Sequence, residues 1–282
     1  MFEKLRRKLH YTVLQDLYYT VELKEAYSGG SVTGGNLVGK NVLITGATGD
    51  LGYSLSLRFI DEGCNVILAG RNMAKLNSLK KQIDICRKNA KIYTILLDLL
   101  DQTTIKKSID ELYNRKLNID ILVNNAGFFT DQDRDRVFRK YDMDTYKTSW
   151  QTNYEGTTYV AKVVAEKMSQ LSQEGCIIFV SSICAQQKKY KYTPYGMSKS
   201  AIYEFAKLLQ NLYPSLSVNT IFPGSIATKM GNISLGDNIA RANNKLNHLA
   251  MPEEISALVA FLCSEKSFIK GEDVTASACE IF

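Results

Sequence analysis

Histidine is nearly absent from this 282-residue chain, which contains only His10 and His248. Two isolated histidines speak against a catalytic zinc site and against a histidine-dependent triad, so no metal centre is expected. The six cysteines form no C-x-x-C pair, and they are therefore expected to be the reduced thiols of a cytoplasmic protein. Any chemistry must come from Tyr, Lys, Ser, Asp or Glu side chains, or from a cofactor.

Long apolar runs and dense basic blocks are also lacking. No apolar run approaches the roughly 20 residues that span a bilayer, and no apolar stretch follows the basic N-terminus, so neither a membrane span nor a secretory signal is expected. The net charge is +6, and the Lys/Arg clusters at 6–8 and 188–189 are short, which predicts no nucleic-acid partner. With 45% hydrophobic and 23% charged residues, the composition is that of an ordinary globular protein.

The first 38 residues are predicted to form an extension that precedes a single domain at 39–282. Apolar residues recur at helical spacing up to about residue 27, which predicts an amphipathic helix, and "SGGSVTGG" at 28–35 is typical of a flexible linker. Two interpretations of the helix stay open. It packs on the domain or on a neighbouring subunit, or it lies on a membrane surface with the help of the basic residues at 6–8.

From residue 40 onward, short apolar segments that favour β-structure alternate with helical segments. The predicted strands are 41–45, 65–70, 91–98, 119–125, 176–182, 216–222 and 273–278, and the helices between them include 102–115, 143–172, 194–212 and 252–264. This alternation is typical of βαβ units, whose parallel strands are covered by helices on both faces. The sequence therefore predicts an α/β, Rossmann-like doubly wound fold with a mostly parallel sheet of seven strands.

A glycine-rich segment, "TGATGDLG" at 45–52, follows the first predicted strand and precedes a helix. Glycines at such a place allow a tight turn and a close approach of the backbone to phosphate. The N-terminus of the following helix supplies free N–H groups and a positive dipole end for a pyrophosphate. Asp50 stands among these groups, where its charge would repel a pyrophosphate. We therefore expect its carboxylate to cap the helix N–H groups.

Tyr195 and Lys199 are four residues apart in the predicted helix 194–212, so their side chains share one face. A free tyrosine has a pKa of about 10, and a nearby lysine ammonium lowers that pKa because it favours the phenolate. Such a pair can donate a proton to the alkoxide that hydride transfer to a carbonyl creates. The same spacing also occurs on ordinary helix surfaces, so the other motifs decide between the two interpretations.

Together, these motifs resemble those of the short-chain dehydrogenase/reductase family over most of the chain. The family's "NNAG" follows the fourth strand at 124–127, its P-G-x-x-x-T segment stands at 223–228, and Ser182 precedes Tyr195 by the usual 13 residues. The glycine loop departs from the family, because the shorter single-domain members show T-G-x-x-x-G-x-G, with Gly in the place of Asp50. The spacing T-G-x-x-G-x-x-G is commoner in the branch that acts on sugar nucleotides.

The resemblance implies a role for each of four catalytic residues. Tyr195 is the general acid in reduction and the base in oxidation, and Ser182 holds the substrate oxygen by a hydrogen bond. Lys199 lowers the pKa of Tyr195 and binds the ribose hydroxyls next to the nicotinamide. Asn153, within "WQTNYEG", positions a water molecule in the proton relay.

The resemblance also implies a nicotinamide dinucleotide held by the loops that follow the strands. The residues expected to contact it are Thr45, Gly46, Thr48, Gly49, Asp50, Leu51, Gly52, Arg71, Asn72, Asp98, Leu99, Asn125, Ala126, Gly127, Tyr195, Lys199, Pro223, Gly224, Ile226 and Thr228. The second strand ends in "AGRN", without the carboxylate that would accept a hydrogen bond from the ribose 2′-OH of NAD. Arg71 is suited to a 2′-phosphate, which favours NADP(H) over NAD(H).

The sequence thus predicts an NADP-dependent oxidoreductase that interconverts a carbonyl and a secondary alcohol. Basic residues in the segments expected at the mouth of the site are either solvated loop residues or contacts for an anionic small-molecule substrate, such as a sugar or polyol phosphate or an acyl thioester. These residues are Lys188, Lys189, Lys191, Lys229, Arg241 and Lys245. Two alternatives stay open: a sugar-nucleotide-modifying enzyme, and a catalytically idle nucleotide-sensing or scaffold protein on the same fold.

A homodimer or homotetramer is expected, because family members pair through the two helices that carry the catalytic Asn and Tyr. In this chain the helices at 143–172 and 194–212 show apolar residues beyond a single stripe, namely Val160, Val163, Val164, Ile202, Phe205 and Leu209. The alternative is that these side chains only cover the sheet.

Overall fold

The computed structural model describes residues 36–130, 142–171, 174–186, 193–230, 249–265 and 267–278. The predicted N-terminal helix and linker lie outside the described residues, and so do five basic residues predicted at the mouth: Lys188, Lys189, Lys191, Arg241 and Lys245. Leu37 is buried in the core of the domain, although the predicted boundary assigns it to the extension. No helix in the described ranges combines the length and the apolar character that crossing a bilayer requires.

All seven predicted strands are present, and they form one parallel sheet, which confirms the predicted doubly wound fold. Their bounds are β1 Asn41–Thr45, β2 Asn65–Gly70, β3 Ile92–Leu96, β4 Ile121–Asn124, β5 Cys176–Val180, β6 Ser217–Pro223 and β7 Asp273–Ala276. The strand order is β3-β2-β1-β4-β5-β6-β7, and every neighbouring pair is parallel. The order reverses between β1 and β4, and open parallel sheets bind ligands at the carboxyl ends of the strands beside such a reversal.

The described helices follow the predicted helical segments closely. They are α1 Asp50–Asp61, α2 Met73–Cys86, α3 Gln102–Asn114, α4 Met143–Trp150, α5 Thr157–Gln170, α6 Pro194–Leu212 and α7 Pro252–Leu262. A π-helical turn, Gln151–Gly156, joins α4 to α5, so the predicted helix at 143–172 has one wider turn in its middle. Turns of this kind are frequent at functional sites.

Among the described residues, three helices cover each face of the sheet, and successive residues of a strand point to opposite faces. Leu43 in β1 packs in a cluster with residues of α3, α5 and α6. Its neighbours Val42 and Ile44 pack in a second cluster with residues of α1, α2 and α7. Strands that are buried on both faces need continuous apolar runs, which is why the central strands of this chain do not alternate polar with apolar residues.

The apolar residues that suggested a subunit interface lie inside this core. Five of the six are buried between the helices and the sheet: Val160, Val163, Val164, Ile202 and Leu209. The interpretation that they face a partner subunit is therefore wrong, because the sheet alone accounts for their apolar character. The exposed apolar side chains of α6 are different ones, Leu208 and Leu212.

Candidate functional site

A cavity of about 500 Å³ opens at the carboxyl edge of the sheet, where the loops after β1, β4, β5 and β6 meet. This volume is typical of small-molecule and cofactor sites. All of the predicted site residues except Asn72 and Asn153 line the cavity. The lining also includes residues beyond the predicted catalytic and cofactor set: Gly70, Leu97, Leu100, Phe128, Thr152, Val180, Ser181, Lys229 and Met230.

The glycine loop between β1 and α1 has a backbone that side chains would obstruct. Gly46 has a φ of +64°, and a Cβ there would lie 2.8 Å from Ala126 Cα. A Cβ on Gly52 would lie 2.3 Å from the carbonyl oxygen of Gly46. The loop therefore packs directly on the NNAG segment, and α1 packs directly on the loop. Thr48 and Gly49 are exposed within this loop and line the cavity.

Hydrogen bonds connect the NNAG segment to the end of β1. Thr45 Oγ1 accepts from the backbone N–H groups of Asn125 at 3.0 Å and Ala126 at 3.1 Å. Asn125 Nδ2 in turn donates to the carbonyl oxygens of Thr45 at 3.0 Å and Gly46 at 3.3 Å. The two loops beside the reversal of strand order are thus held together as one wall of the cavity.

Helix α6 begins one residue before Tyr195, and its start is fixed by local sequence. Thr193 Oγ1 accepts from the backbone N–H of Gly196 at 3.0 Å, and Pro194 occupies the first helical position. Threonine at the cap and proline at the first position are both favoured at helix starts. Tyr195 consequently lies in the first turn of α6, and it lines the cavity.

Lys199 lies one turn further along α6 and is only 3% exposed. Its Nζ donates to the carbonyl oxygen of Val180 at 2.8 Å and lies 5.7 Å from the centre of the Tyr195 ring. Burial lowers the pKa of the Lys199 ammonium from 10.5 to about 8. An ammonium has three donors, so two remain after the bond to Val180.

Ser182 lines the same cavity as Tyr195, and Phe129 packs against the Tyr195 ring. Ser182 follows β5, lines the cavity, and accepts a hydrogen bond from the backbone N–H of Cys184 at 3.2 Å. Because the hydroxyl acts as acceptor there, its proton can be donated to a substrate oxygen. The ring of Phe129 meets the Tyr195 ring edge to face, with centroids 5.0 Å apart.

Asn153 lies in the π-helical turn and is fully buried, whereas its neighbour Thr152 lines the cavity. Asn153 Oδ1 accepts from the Phe128 N–H at 2.6 Å, and Nδ2 donates to the Phe128 carbonyl at 2.9 Å. Nδ2 also donates to Ser198 Oγ at 3.1 Å. The amide that was expected to position a water is thus engaged with the backbone that follows NNAG and with α6.

The residues that follow β2 and β3 form another part of the cavity. Arg71 is exposed and lines it. Asp98 lines it as well, and one of its carboxylate oxygens accepts from the Leu100 N–H at 3.0 Å. Asn72 is not part of the lining, because its Oδ1 accepts from the Lys75 N–H at 3.0 Å and caps α2. The structure therefore brings Arg71 and Asp98 into the cavity and leaves Asn72 out.

Asp50 is the first residue of α1 and lines the cavity. Its Oδ2 accepts from the backbone N–H of Lys229 at a distance of 2.7 Å, and not from the N–H groups of its own helix. The prediction that this carboxylate caps α1 is therefore wrong. The reason is the loop after β6, which brings a competing donor that the local sequence does not reveal.

Known proteins with similar sequences are dehydrogenases and reductases. The family model for short chain dehydrogenase matches residues 40–237. The 3-oxoacyl-(acyl-carrier-protein) reductase FabG of Aquifex aeolicus is 30% identical over 242 residues, which cover 84% of this chain and 95% of the relative. The 7alpha-hydroxysteroid dehydrogenase of Bacteroides fragilis is 27% identical over 241 residues, which cover 83% of this chain and 92% of the relative.

A solved structure shares the fold as well. A short-chain type dehydrogenase/reductase from Mycobacterium marinum matches with a TM-score of 0.78 at 25% identity, covering 86% of this chain and 96% of that chain. The family match spans more than half of the residues, and the Aquifex aeolicus relative aligns with more than two thirds of them. The chain therefore belongs to the short-chain dehydrogenase/reductase family.

Proposed function

We propose that the protein is an NADP-dependent oxidoreductase that interconverts a carbonyl group and a secondary alcohol. The observation that carries the proposal is one shared cavity, in which Tyr195, Ser182 and Lys199 stand beside the glycine loop and Arg71. Hydride transfer to a carbonyl requires a proton donor, a hydrogen bond to the substrate oxygen and a held dinucleotide. These residues can supply all three.

The described residues fit a dinucleotide along the cavity. The N-terminus of α1, preceded by the exposed Thr48 and Gly49, offers N–H groups to a pyrophosphate, whereas the Gly49 N–H itself donates to the Gly46 carbonyl oxygen at 3.1 Å. Gly127 leaves room beside Lys199, since a Cβ there would lie 3.5 Å from Lys199 Nζ. We assign Arg71 and Asp98 to the adenosine half and Lys199 to the ribose of the nicotinamide half. When bound, the nicotinamide supplies or accepts the hydride.

Proton transfer in this proposal belongs to Tyr195. The Tyr195 hydroxyl donates the proton that the developing alkoxide needs, while Ser182 donates a hydrogen bond to the same oxygen. Lys199 carries its positive charge below its pKa of about 8, and that charge stabilises the phenolate left on Tyr195. In the oxidative direction the phenolate accepts the proton from the alcohol.

Asn153 acts in this proposal as a positioning residue. Its amide holds the backbone of Phe128 by two hydrogen bonds and also donates to Ser198 Oγ. Ser198 Oγ donates in turn to the carbonyl oxygen of Tyr195 at 2.8 Å. The amide thereby connects the segment after NNAG to the first turn of α6, which carries the proton donor.

For the substrate we propose an anionic carbonyl compound, either an acyl thioester or a sugar or polyol phosphate. Several relatives are 3-oxoacyl-(acyl-carrier-protein) reductases, and Lys229 supplies a cation at the cavity. An activity screen should follow NADPH oxidation with 3-oxoacyl thioesters, sugar phosphates, uncharged ketoses and oxosteroids. Turnover confined to uncharged carbonyl compounds would contradict the anionic substrate, and no turnover with any of them would contradict the proposed function.

We expect NADPH to bind more tightly than NADH, and Arg71→Ala to reduce that preference roughly 10- to 100-fold. The guanidinium makes charge-assisted hydrogen bonds to the 2′-phosphate, which contribute about 1.5–3 kcal/mol. Fluorescence titrations with both dinucleotides measure the ratio of dissociation constants. Lys75→Ala is the matched control, because Lys75 is an exposed cation in the first turn of α2 outside the cavity lining. Equal affinities in the unmutated protein would refute the role of Arg71.

We propose a homodimer or homotetramer with α6 in the interface. Leu208 and Leu212 are 52% and 62% exposed, and four residues apart they form one apolar patch on the helix. Light scattering at micromolar concentration should give a dimer or tetramer mass, and Leu208→Glu should lower it. Ile85→Glu is the control, because Ile85 on α2 is 78% exposed and lies on another helix. A monomer mass for the unmutated protein would contradict the proposal.

We further propose a cytoplasmic location. The described cysteines are free thiols, which suits a reducing compartment. The division into an extension at 1–38 and a catalytic domain at 39–282 remains a prediction, as do both interpretations of the extension.

A further inference from the structure

Asp50 connects two walls of the cavity that are distant in the sequence and in the sheet. Its Oδ2 accepts from the backbone N–H of Lys229, 179 residues further along the chain, at 2.7 Å. Asp50 follows β1 and Lys229 follows β6, and β4 and β5 lie between these strands in the sheet. Both residues line the cavity, so this Asp50–Lys229 contact crosses the region where we place the dinucleotide.

The carboxylate stands where the cavity otherwise favours a phosphate. The first turn of a helix has N–H groups without intrahelical partners and a positive dipole end, and both attract anions. Asp50 is the first residue of α1, so its fixed negative charge already lies beside that end. The N–H of Lys229, a second donor at the cavity, is already occupied by the same carboxylate.

A pyrophosphate at the glycine loop would bring further negative charge next to this carboxylate. Two negative charges a few ångströms apart repel each other, and they do so more strongly near a protein surface than in bulk water. The pyrophosphate and the carboxylate would also compete for the Lys229 N–H. Repulsion and competition act in the same direction, against binding of the dinucleotide.

We propose that Asp50 is an internal anion that opposes the dinucleotide: its carboxylate accepts from the Lys229 N–H, and a pyrophosphate that binds must displace this contact. The inference rests on the proposed function only in requiring that a dinucleotide occupies this cavity. The rearrangement is local, because the preceding residues are fixed separately. The Ala227 N–H donates to Ala250 at 2.9 Å, and the Ala250 N–H donates to Ser225 at 3.1 Å. Breaking the Asp50–Lys229 contact therefore leaves Ser225 and Ala227 held, and within the described part of this segment it frees residues 228–230.

Two variants separate the charge of Asp50 from its contact. Asp50→Asn keeps the shape and an oxygen that can accept from Lys229, but it removes the charge. Asp50→Gly removes both. We expect both variants to bind NADPH and NADH more tightly, on the order of tenfold for Asp50→Asn. The gain in dinucleotide affinity should be smaller in 1 M salt, because the screening length falls to about 3 Å.

A ligand without a pyrophosphate is the matched control. Adenosine 2′-monophosphate carries only the 2′-phosphate, so its affinity should be the same for the unmutated protein and both variants. Amide hydrogen exchange, measured without added dinucleotide, gives a second readout. The backbone amide of Lys229 should exchange faster in Asp50→Gly than in the unmutated protein, because the amide loses its hydrogen-bond acceptor.

The outcomes distinguish this inference from the proposed function. Weaker or unchanged binding of both dinucleotides to Asp50→Asn would overturn the inference. Weaker binding would show that the carboxylate favours dinucleotide binding, and unchanged binding would show that it has no effect on affinity. Failure of the unmutated protein and both variants to bind either dinucleotide would overturn the proposed function itself. An equal gain for adenosine 2′-monophosphate would overturn the inference as well, because the pyrophosphate would then not be the group that the carboxylate opposes.

Discussion

Replacing Tyr195 by phenylalanine is expected to lower turnover by roughly 10²- to 10⁴-fold while NADPH binding stays nearly unchanged. The substitution removes one oxygen and little volume, so α6 and the edge-to-face contact with Phe129 should persist. What is lost is the proton that the developing alkoxide must receive. Single-turnover oxidation of NADPH, with a substrate from the screen, measures the effect apart from product release.

Tyr203→Phe on the same helix is the matched control for this prediction. The Tyr203 ring packs against Phe222, with centroids 5.7 Å apart, and the residue does not line the cavity.

Lys199→Ala should differ from both tyrosine variants and weaken NADPH binding and turnover together, because in the proposed mechanism its ammonium both binds the ribose and lowers the pKa of Tyr195. If Tyr195→Phe reacts at close to the unmutated rate, the general-acid role is wrong. If the protein were a sensor or a scaffold, neither Tyr195→Phe nor Lys199→Ala would change its function.

Gly52→Ala is expected to destabilise the fold and weaken NADPH binding, although alanine in a helix interior is ordinarily more stable than glycine by about 1 kcal/mol. A Cβ at this position would lie 2.3 Å from the Gly46 carbonyl oxygen and 2.8 Å from Ala47 Cα. These are backbone atoms, so α1 must move away from the loop. Overpacking of this kind costs roughly 1–3 kcal/mol of unfolding free energy. The displaced N-terminus of α1 would also bind the pyrophosphate less well.

Gly49→Ala provides the control within the same loop. A Cβ there would meet only the Gly46 oxygen at 3.5 Å, and its φ of −82° suits an alanine. Urea unfolding should place Gly49→Ala within about 0.5 kcal/mol of the unmutated protein and show a clear loss for Gly52→Ala. Equal stabilities for the two variants would mean that α1 can shift freely, contrary to this prediction.

The fold was predictable because its central strands are buried on both faces and are therefore continuous apolar runs. The strand bounds at 41–45 and 65–70 were predicted to the residue, and so was the helix at 194–212, whose start carries its own cap and proline. The predicted strand at 119–125 is longer than β4, which ends at Asn124. Asn125 leaves the ladder because its N–H donates to Thr45 Oγ1, a partner 80 residues away.

The residues that line the cavity could be predicted where a motif fixes the backbone. The hydrogen-bond partners of the polar side chains could be predicted less well. Asn72, Asn153 and Asp50 all carry hydrogen bonds other than those expected of them. The partners of Asn153 and Asp50 are set by neighbours in space, which a single sequence does not reveal, whereas Asn72 caps its own helix, a signal that the local sequence does carry. Phe128 and Thr152 were missed because they carry no signal of their own beyond standing next to a motif residue.

The burial of Lys199 has a consequence for the stability of the protein without its cofactor. The pKa of Lys199 falls from 10.5 to about 8 on folding, so the folded state disfavours the charged ammonium. The resulting destabilisation is fully present below pH 8 and disappears as the pH rises to 10.5, because the folded protein loses this proton before the unfolded chain does. At neutral pH it amounts to roughly 3 kcal/mol. We expect the proposed dinucleotide, whose ribose hydroxyls would accept hydrogen bonds from the ammonium, to offset part of this cost and so to stabilise the folded chain at neutral pH.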